Sequence, residues 1–280
     1  MPDNILYLVA TPIGNLGDIS TRSAQILKAV DFVAAEDTRV TAKLLNHLGI
    51  KKTLISYYQH NMFARGDLIL QKIEKGESCA LCCDAGTPAI SDPGELLVRE
   101  AVERGITVVP IPGPCAAIAA LCASGLATGR FCFEGFIPVS KKHRRDRLEA
   151  IKDETRTLIF YEAPHKLKNT LADLLEHLGD REITIARELT KMHEEIAKLK
   201  LSEACDMYHD RAPIGEFVLV VEGCEPQPVE LPHIDKALDM VEEYFRAGAP
   251  LGDACKTVSA QTGYKRSELY KLALERRDKK

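Results

Sequence analysis

Four short stretches concentrate the residue types that could do chemistry. Ala35-Glu36-Asp37-Thr38-Arg39 sets two carboxylates, a hydroxyl and a guanidinium directly behind an apolar run. One of them is enough to cap a following helix, so the set reads as an acid/base cluster with a cap included. Asp84-Ala-Gly-Thr-Pro-Ala-Ile-Ser-Asp-Pro-Gly94 packs two prolines, two glycines and two aspartates into eleven residues. That is longer and stiffer than a turn requires and points to a shaped ligand contact. In Pro110-Ile-Pro-Gly-Pro-Cys-Ala-Ala117, Gly113 permits close approach and Pro114 pre-sets a helix start with free N–H groups beside a ligand. Thr11-Pro-Ile-Gly-Asn-Leu-Gly-Asp18 has Gly14 and Gly17 but neither GxGxxG nor GxxxxGK(S/T). A dinucleotide turn and a P-loop are therefore disfavoured. What is left is a tight strand-to-helix turn or a backbone brought close to a ligand.

Elements of one style must hold these loops. Apolar runs at Ile5–Ala10, Phe32–Ala35, Thr53–Tyr57, Cys79–Cys83 and Thr107–Pro110 alternate with helical patterns at Thr21–Val30, Thr41–Leu48, Ala64–Lys75 and Glu95–Arg104. Continuous apolar strands between helices of that length predict βαβ units and a mostly parallel sheet covered on both faces. Ligands then bind at the carboxyl ends of the strands, where all four loops fall. The second half keeps the style with a different topology. Helices are predicted at Ala116–Ser124 and Lys166–Leu178, and strands at Phe131–Phe136, Thr157–Tyr161, Ile183–Ala186 and Phe217–Val221. Lys141–Arg147 is a basic burst within a loop or a helix start. Glu225–Pro232 reads as a proline-stiffened linker, and everything from Asp235 is helical by pattern. The expected fold class is α/β, with one domain over 1–115, a second over 116–225, and a linker with a helical domain over 226–280.

Composition narrows the class further. The 280 residues are 45% hydrophobic and 28% charged, too apolar for disorder. No apolar run reaches the ~20 residues needed to span a bilayer. Met1-Pro2-Asp3-Asn4 offers no basic flank for a signal peptide, so a cytoplasmic protein is expected. Nine cysteines, odd in number and mostly in apolar segments, suit a reducing compartment. Cys79-Ala-Leu-Cys82 lacks a second pair and the eight histidines are scattered, so no metal site is expected. The net charge of −4 is an average over unlike parts. Lys141–Arg147 holds five basic residues and one acid, Gln261–Lys280 seven and three, and the rest of the chain carries −12. Two basic patches on an acidic body exclude indiscriminate nucleic-acid binding, not RNA as such.

The motifs recur in a familiar order: Leu8–Ile19, Ala35–Arg39, Asp84–Gly94, Pro110–Ala117, Phe133–Phe136, Ile159–His165 and Ala186–Lys191. From about residue 5 to its end the chain resembles a bacterial family of small-subunit (16S) ribosomal RNA cytidine 2′-O-ribose methyltransferases, which modify the decoding region. That family sits in the tetrapyrrole-methylase (class III) superfamily of S-adenosylmethionine (SAM) enzymes. The resemblance implies two α/β domains with SAM in the cleft between them, and superfamily members are commonly homodimers. It puts Cys82, Cys83, Asp84 and Thr87 near the methionine part of SAM, Cys115 and Ala116 at the next turn, and Glu162 and Leu189 opposite. Ile13 stands where the superfamily usually has the proline of GxGPG. The expected substrate is 16S rRNA within the 30S subunit.

A ribose hydroxyl attacking a sulfonium methyl gains from in-line positioning and from a nearby base. A carboxylate against the sulfur would favour the ground state, so apolar walls suit it better. Candidate bases are Glu36, Asp37, His60 and Glu162, with Glu36 or Asp37 preferred. Arg39, Arg187 and Lys191 are suited to phosphate, as are Lys141, Lys142, Arg144 and Arg145 of the basic burst and Lys265 and Arg266 of the tail. Leu251–Tyr270 reads as helix, glycine turn, helix, with Ala254 and Gly263 small at the crossing and Val258, Leu269 and Leu272 as its core. It is a helix-turn-helix appendage of the kind this family carries, or a bundle that docks on the second domain. Two rivals stand beside this reading: a small-molecule tetrapyrrole methylase, and a non-catalytic RNA-binding factor on a methylase scaffold.

Overall fold

Apolar runs bounded by turn residues become two five-stranded sheets in the computed structural model, which describes residues 4–225 and 233–278. The first sheet contains β1 (Ile5–Val9), β2 (Phe32–Ala35), β3 (Thr53–Ser56), β4 (Cys79–Cys82) and β5 (Thr107–Ile111) in the order β3-β2-β4-β1-β5, every pairing parallel. Between its strands run α1 (Thr21–Ala29), α2 (Thr38–His47), α3 (Met62–Glu74) and α4 (Gly94–Glu103). The two-residue period of the strands explains the two-sided cover. Ile5, Tyr7, Val9, Val33 and Cys82 pack on Leu27, Leu44 and Leu45 from α1 and α2. Leu6, Phe32, Ala34, Cys79 and Leu81 pack on Ile69, Leu70, Ile73 and Leu97 from α3 and α4. Cys79 and Cys82 therefore lie on opposite faces of β4, where both serve as small apolar residues.

The second sheet contains β6 (Phe131–Phe136), β7 (Thr157–Glu162), β8 (Glu182–Arg187), β9 (Glu195–Lys200) and β10 (Phe217–Val221), ordered β6-β7-β10-β8-β9. Only β6–β7 is parallel; the remaining pairs are antiparallel. One face packs on α6 (Lys141–Ile151), α7 (Leu167–Leu178) and α8 (Leu201–Asp210), through Leu148, Leu171, Leu174, Leu201 and Tyr208. The other face packs on α5 (Ala116–Ala123) and on Ile13, which reaches across from the loop after β1. Residues up to 225 form one compact unit carrying both sheets, and residues from 226 form a second.

Several expectations need correction. The basic burst is the first half of α6, anchored by Leu148 and Ile151 from its less charged end. α2 starts at Thr38 rather than Thr41, because the Asp37 carboxylate takes the Arg39 N–H at 2.8 Å and caps it. β9 and α8 were not anticipated. β9 reads Glu-Ile-Ala-Lys-Leu-Lys, an edge strand whose residues alternate between half-buried and exposed, so no continuous apolar run marks it. The predicted linker at 225–232 lies outside the described residues apart from Glu225.

The second unit contains α9 (Ile234–Arg246), α10 (Leu251–Thr262) and α11 (Arg266–Asp278). Its core is Ala237, Leu238, Val241, Ala254, Cys255, Val258, Leu269 and Ala273, with Leu272 packed at the edge. Gly263 ends α10 at φ +79°, a left-handed position that favours glycine.

Candidate functional site

The strand ends of the two sheets border one cavity of about 460 Å³. The first sheet contributes Glu36 after β2, the Cys83–Asp92 loop after β4, and Cys115 and Ala116 after β5. The second contributes Phe136, Tyr161 and Glu162 at the ends of β6 and β7, Ala186 and Leu189 around the end of β8, and Glu216–Val218 at the start of β10. Ile13 supplies a wall from the loop after β1.

Local bonding sets the loop shapes. Thr11 and Gly86 exchange backbone hydrogen bonds at 2.8 and 3.0 Å, and the Thr11 hydroxyl donates to the Cys83 carbonyl, tying the first loop to the fourth-strand loop. The Thr87 hydroxyl donates to the Pro114 carbonyl at 2.9 Å, joining that loop to the turn after β5. Asp92 accepts from the Ala89 and Gly94 N–H groups at 3.0 and 2.7 Å, bracing a stretch in which Ala89 and Ser91 have φ of +68° and +61°. Across the cavity Glu188 and Thr190 have φ of +51° and +66° on either side of Leu189. Left-handed backbone at non-glycine residues costs about 1–3 kcal/mol each and clusters where a loop serves a ligand. Gly14 is required for another reason: a Cβ there would stand 2.4 Å from Lys191 Cγ, so the first loop can approach the Glu188–Lys191 loop only without a side chain. The close neighbour of Gly113, by contrast, is Ala10, so that glycine serves strand packing.

Charge is the cavity's most distinctive property. Glu36, Asp84, Asp92, Glu162 and Glu216 line it, with no Lys, Arg or His among the lining residues. Burial, then the charge of Asp84, raises the Glu36 pKa above the usual carboxylate range. Asp84 and Asp92 are raised as well, each chiefly by burial. Burial pushes the Cys83 thiol up, so it stays a protonated wall group that donates to the Ala85 and Gly86 carbonyls. Tyr161 is pushed up to about 12, mainly by burial; its hydroxyl accepts the Ala117 N–H, and Phe133 and Phe136 meet its ring edge-on.

Of the residues singled out in the sequence, Ile13, Glu36, Cys83, Asp84, Thr87, Cys115, Ala116, Glu162 and Leu189 come together at the cavity. The others fall elsewhere. Cys82 points into the core between β4 and α1–α2. Asp37 caps α2 and grips the Arg39 guanidinium at 2.6–3.2 Å, which holds its pKa down at about 2, so it is a weak base off the cavity wall. Arg39 is exposed beside it, and His60 is exposed on the turn after β3. Arg144 turns inward to Asp173 and to the Thr170 hydroxyl, which in turn donates to the buried Glu162 carboxylate. Arg187 is engaged by the Ile214 carbonyl at 2.6 Å and by Glu195. Those two arginines support the fold where phosphate contacts were expected. Lys191 bridges Glu188 and Glu216 at 2.7 and 3.0 Å on the rim. Lys141, Lys142 and Arg145 are exposed on α6, as are Lys265 and Arg266 in the second unit.

The sequence reading missed Tyr161, Phe136, Asp92 and the Glu216–Val218 segment as cavity residues. Asp92 lay inside a flagged loop, and Tyr161 and Phe136 inside quoted motifs. Glu216–Val218 opens an ordinary apolar strand and carries no local signal.

Residues 5–205 match the family described as Tetrapyrrole (Corrin/Porphyrin) Methylases, and residues 241–277 match the RsmI C-terminal HTH domain. The chain is 47% identical to the ribosomal RNA small subunit methyltransferase I of Escherichia coli O157:H7, over 96% of this chain and 94% of the relative. It is 46% identical to the protein of that name from Synechocystis sp., over 97% and 98% respectively. Among solved structures, a diphthine synthase superposes with a TM-score of 0.61 at 15% identity, over 78% of this chain and 90% of that one. A cobalt precorrin-4 methyltransferase superposes at 0.59 with 14% identity, over 78% and 94%. These structural likenesses speak to the fold alone.

Proposed function

The chain belongs to the tetrapyrrole methylase family and groups with the small-subunit ribosomal RNA methyltransferases I, and on that premise we propose that it methylates 16S rRNA from SAM, at the ribose 2′-hydroxyl of a cytidine in the decoding region. The observation that carries the reading is the cavity's charge. Five carboxylates without a lining cation repel a phosphorylated cofactor and favour a cationic one. The donor set fits SAM: Asp84, Asp92 and Glu162 are carboxylates for an ammonium and for hydroxyls, and Ile13, Cys83 and Leu189 are apolar surface for the sulfonium region. When bound, SAM supplies an electrophilic methyl group.

The chain's own residues then have two tasks. The strained loops at Ala89–Ser91 and Glu188–Thr190 fix the cavity walls in advance, so that orientation costs little at the moment of reaction. Glu36 takes the proton of the attacking hydroxyl. Its half-buried carboxyl binds a proton more tightly than an ordinary Glu, which suits a general base near neutral pH, whereas Asp37 is held in the opposite direction. The acidic cavity leaves phosphate to the basic surface residues Lys141, Lys142, Arg145, Lys265 and Arg266, and to Lys191 at the rim. A homodimer acting on the 30S subunit, and a division of the first unit near residue 115, belong to the same proposal.

The test is methyl incorporation from labelled SAM into purified 30S subunits, naked 16S rRNA and a porphyrinogen, with the modified nucleotide mapped by its resistance to alkaline cleavage. Label at one cytidine ribose of 30S subunits is expected. Label on the porphyrinogen alone, or on a base, contradicts the proposal.

A further inference from the structure

The turn after β3 carries groups that the cavity chemistry does not use. Tyr58 is 41% exposed and Phe63 is 70% exposed; His60, Arg65 and Arg99 are exposed as well. Tyr58 and His60 meet edge-on, 6.2 Å between ring centres. Among the described residues, neither Arg65 nor Arg99 has a carboxylate partner. The turn is held firmly: Asn61 accepts the Tyr58 N–H at 2.8 Å and donates to the Ser56 carbonyl, and the Tyr57 hydroxyl donates to the Pro93 carbonyl. Phe63 is thus presented from the first turn of α3 on a rigid base.

This patch adjoins the cavity. β3 is the edge strand beside β2, whose carboxyl end carries Glu36, and the turn leaves β3 at that same end of the parallel sheet. A shallow depression of about 320 Å³, lined by Met62, Phe63, Asp92, Pro93, Leu96 and Arg99, shares Asp92 with the cavity wall. Of the two acids there, Asp92 is engaged by the Ala89 and Gly94 N–H groups, which leaves Glu95 as the acid facing two free guanidinia.

Exposed aromatic faces beside unpaired arginines are the combination that holds single-stranded nucleic acid, by base stacking and phosphate contact. We propose that this depression seats an unpaired nucleotide flanking the target in the RNA, its base stacked on Phe63 and its phosphates held by Arg99 and Arg65. The proposal rests on the RNA substrate read above, and it gives His60 and Tyr58 a place on the same stacking surface. A strand whose ribose enters the cavity passes the Asp92 wall, and its neighbouring nucleotide meets this depression.

The experiment uses the full chain, 30S subunits and labelled SAM. Phe63→Ala raises the KM for 30S subunits about tenfold while kcat stays within about twofold, and Phe63→Trp restores the wild-type KM. Arg65→Ala with Arg99→Ala raises the KM and flattens its dependence on log salt by about 1.4, about 0.7 for each lost phosphate contact. SAM affinity and melting temperature are unchanged in all three. p-Benzoylphenylalanine placed at position 63 crosslinks to 16S rRNA. Unchanged KM in Phe63→Ala and in the double variant overturns the proposal, as does a crosslink to ribosomal protein only. A wild-type protein that transfers no methyl group to 30S subunits overturns the RNA reading and the subsite with it, an outcome distinct from active enzyme with insensitive variants.

Discussion

Glu36, Asp84 and Asp92, on the first-sheet wall of the cavity, are held by backbone N–H groups of adjoining loops: Asp84 N–H on Glu36, Asp37 N–H on Asp84, Ala89 and Gly94 N–H on Asp92. On the second-sheet wall Glu162 takes the neighbouring Ala163 N–H and then the Thr170 hydroxyl, itself held by Arg144, while Glu216 is held by Lys191. The first wall is therefore fixed by loop conformation, the second by side chains on other elements. A backbone donor survives substitution of its own side chain; a side-chain donor does not. The wall that performs the proposed proton transfer is the one whose support is hard to remove by mutation, and the opposite wall is the one that point changes should loosen.

The largest effect expected is on the first wall's working group. Glu36→Gln keeps the shape and the Asp84 N–H contact but removes the base, and methyl transfer at saturating SAM falls about 10²- to 10³-fold with SAM affinity little changed. Wild-type turnover in that variant would remove Glu36 from the chemistry. Next in size is the support of the second wall. Thr170→Val leaves the buried Glu162 carboxylate without its side-chain donor, costing roughly 1–3 kcal/mol. At about 2–4 °C per kcal/mol, the melting temperature falls by several degrees. SAM binds severalfold more weakly. If melting and SAM affinity both stay at wild-type values, the two walls do not differ as described.

A subtler effect concerns pH. The base must be unprotonated, so the rate falls as pH drops through the Glu36 pKa, which burial and the Asp84 charge raise. Asp84→Asn removes one of those causes, and the acid limb of the rate profile moves to lower pH. A limb that stays in place disconnects Asp84 from Glu36. The smallest effect is expected for Asp37→Asn. Asparagine caps a helix as well as aspartate does, and Asp37 lies off the cavity wall, so activity stays within about twofold.

The same contrast explains what could be read from the sequence. Glu36, Asp84 and Thr87 sit in contiguous motifs behind continuous apolar strands, so their types, spacing and position at strand ends pointed to one place. The first sheet's strands were legible for the same reason: buried on both faces, they read as unbroken apolar runs. The second wall depends on partners far apart in the chain. Nothing local in Lys141–Arg147 shows that Arg144 turns inward toward Thr170 while Lys141, Lys142 and Arg145 stay in solvent, because a single buried arginine on a basic helix leaves no pattern. Arg187, read as a phosphate ligand, is similarly committed to Glu195 on β9, the edge strand the apolar pattern missed. The Glu36–Asp37 pair was recognised as a unit; its division into base and cap needed the Arg39 fork, which is a matter of rotamers.

Calorimetric titration of the full chain with SAM and, separately, with ATP tests the central claim most directly. An acidic cavity without a lining cation predicts one SAM bound per chain and no detectable binding of the polyphosphate. Absence of SAM binding, or ATP binding of comparable strength, would contradict the account.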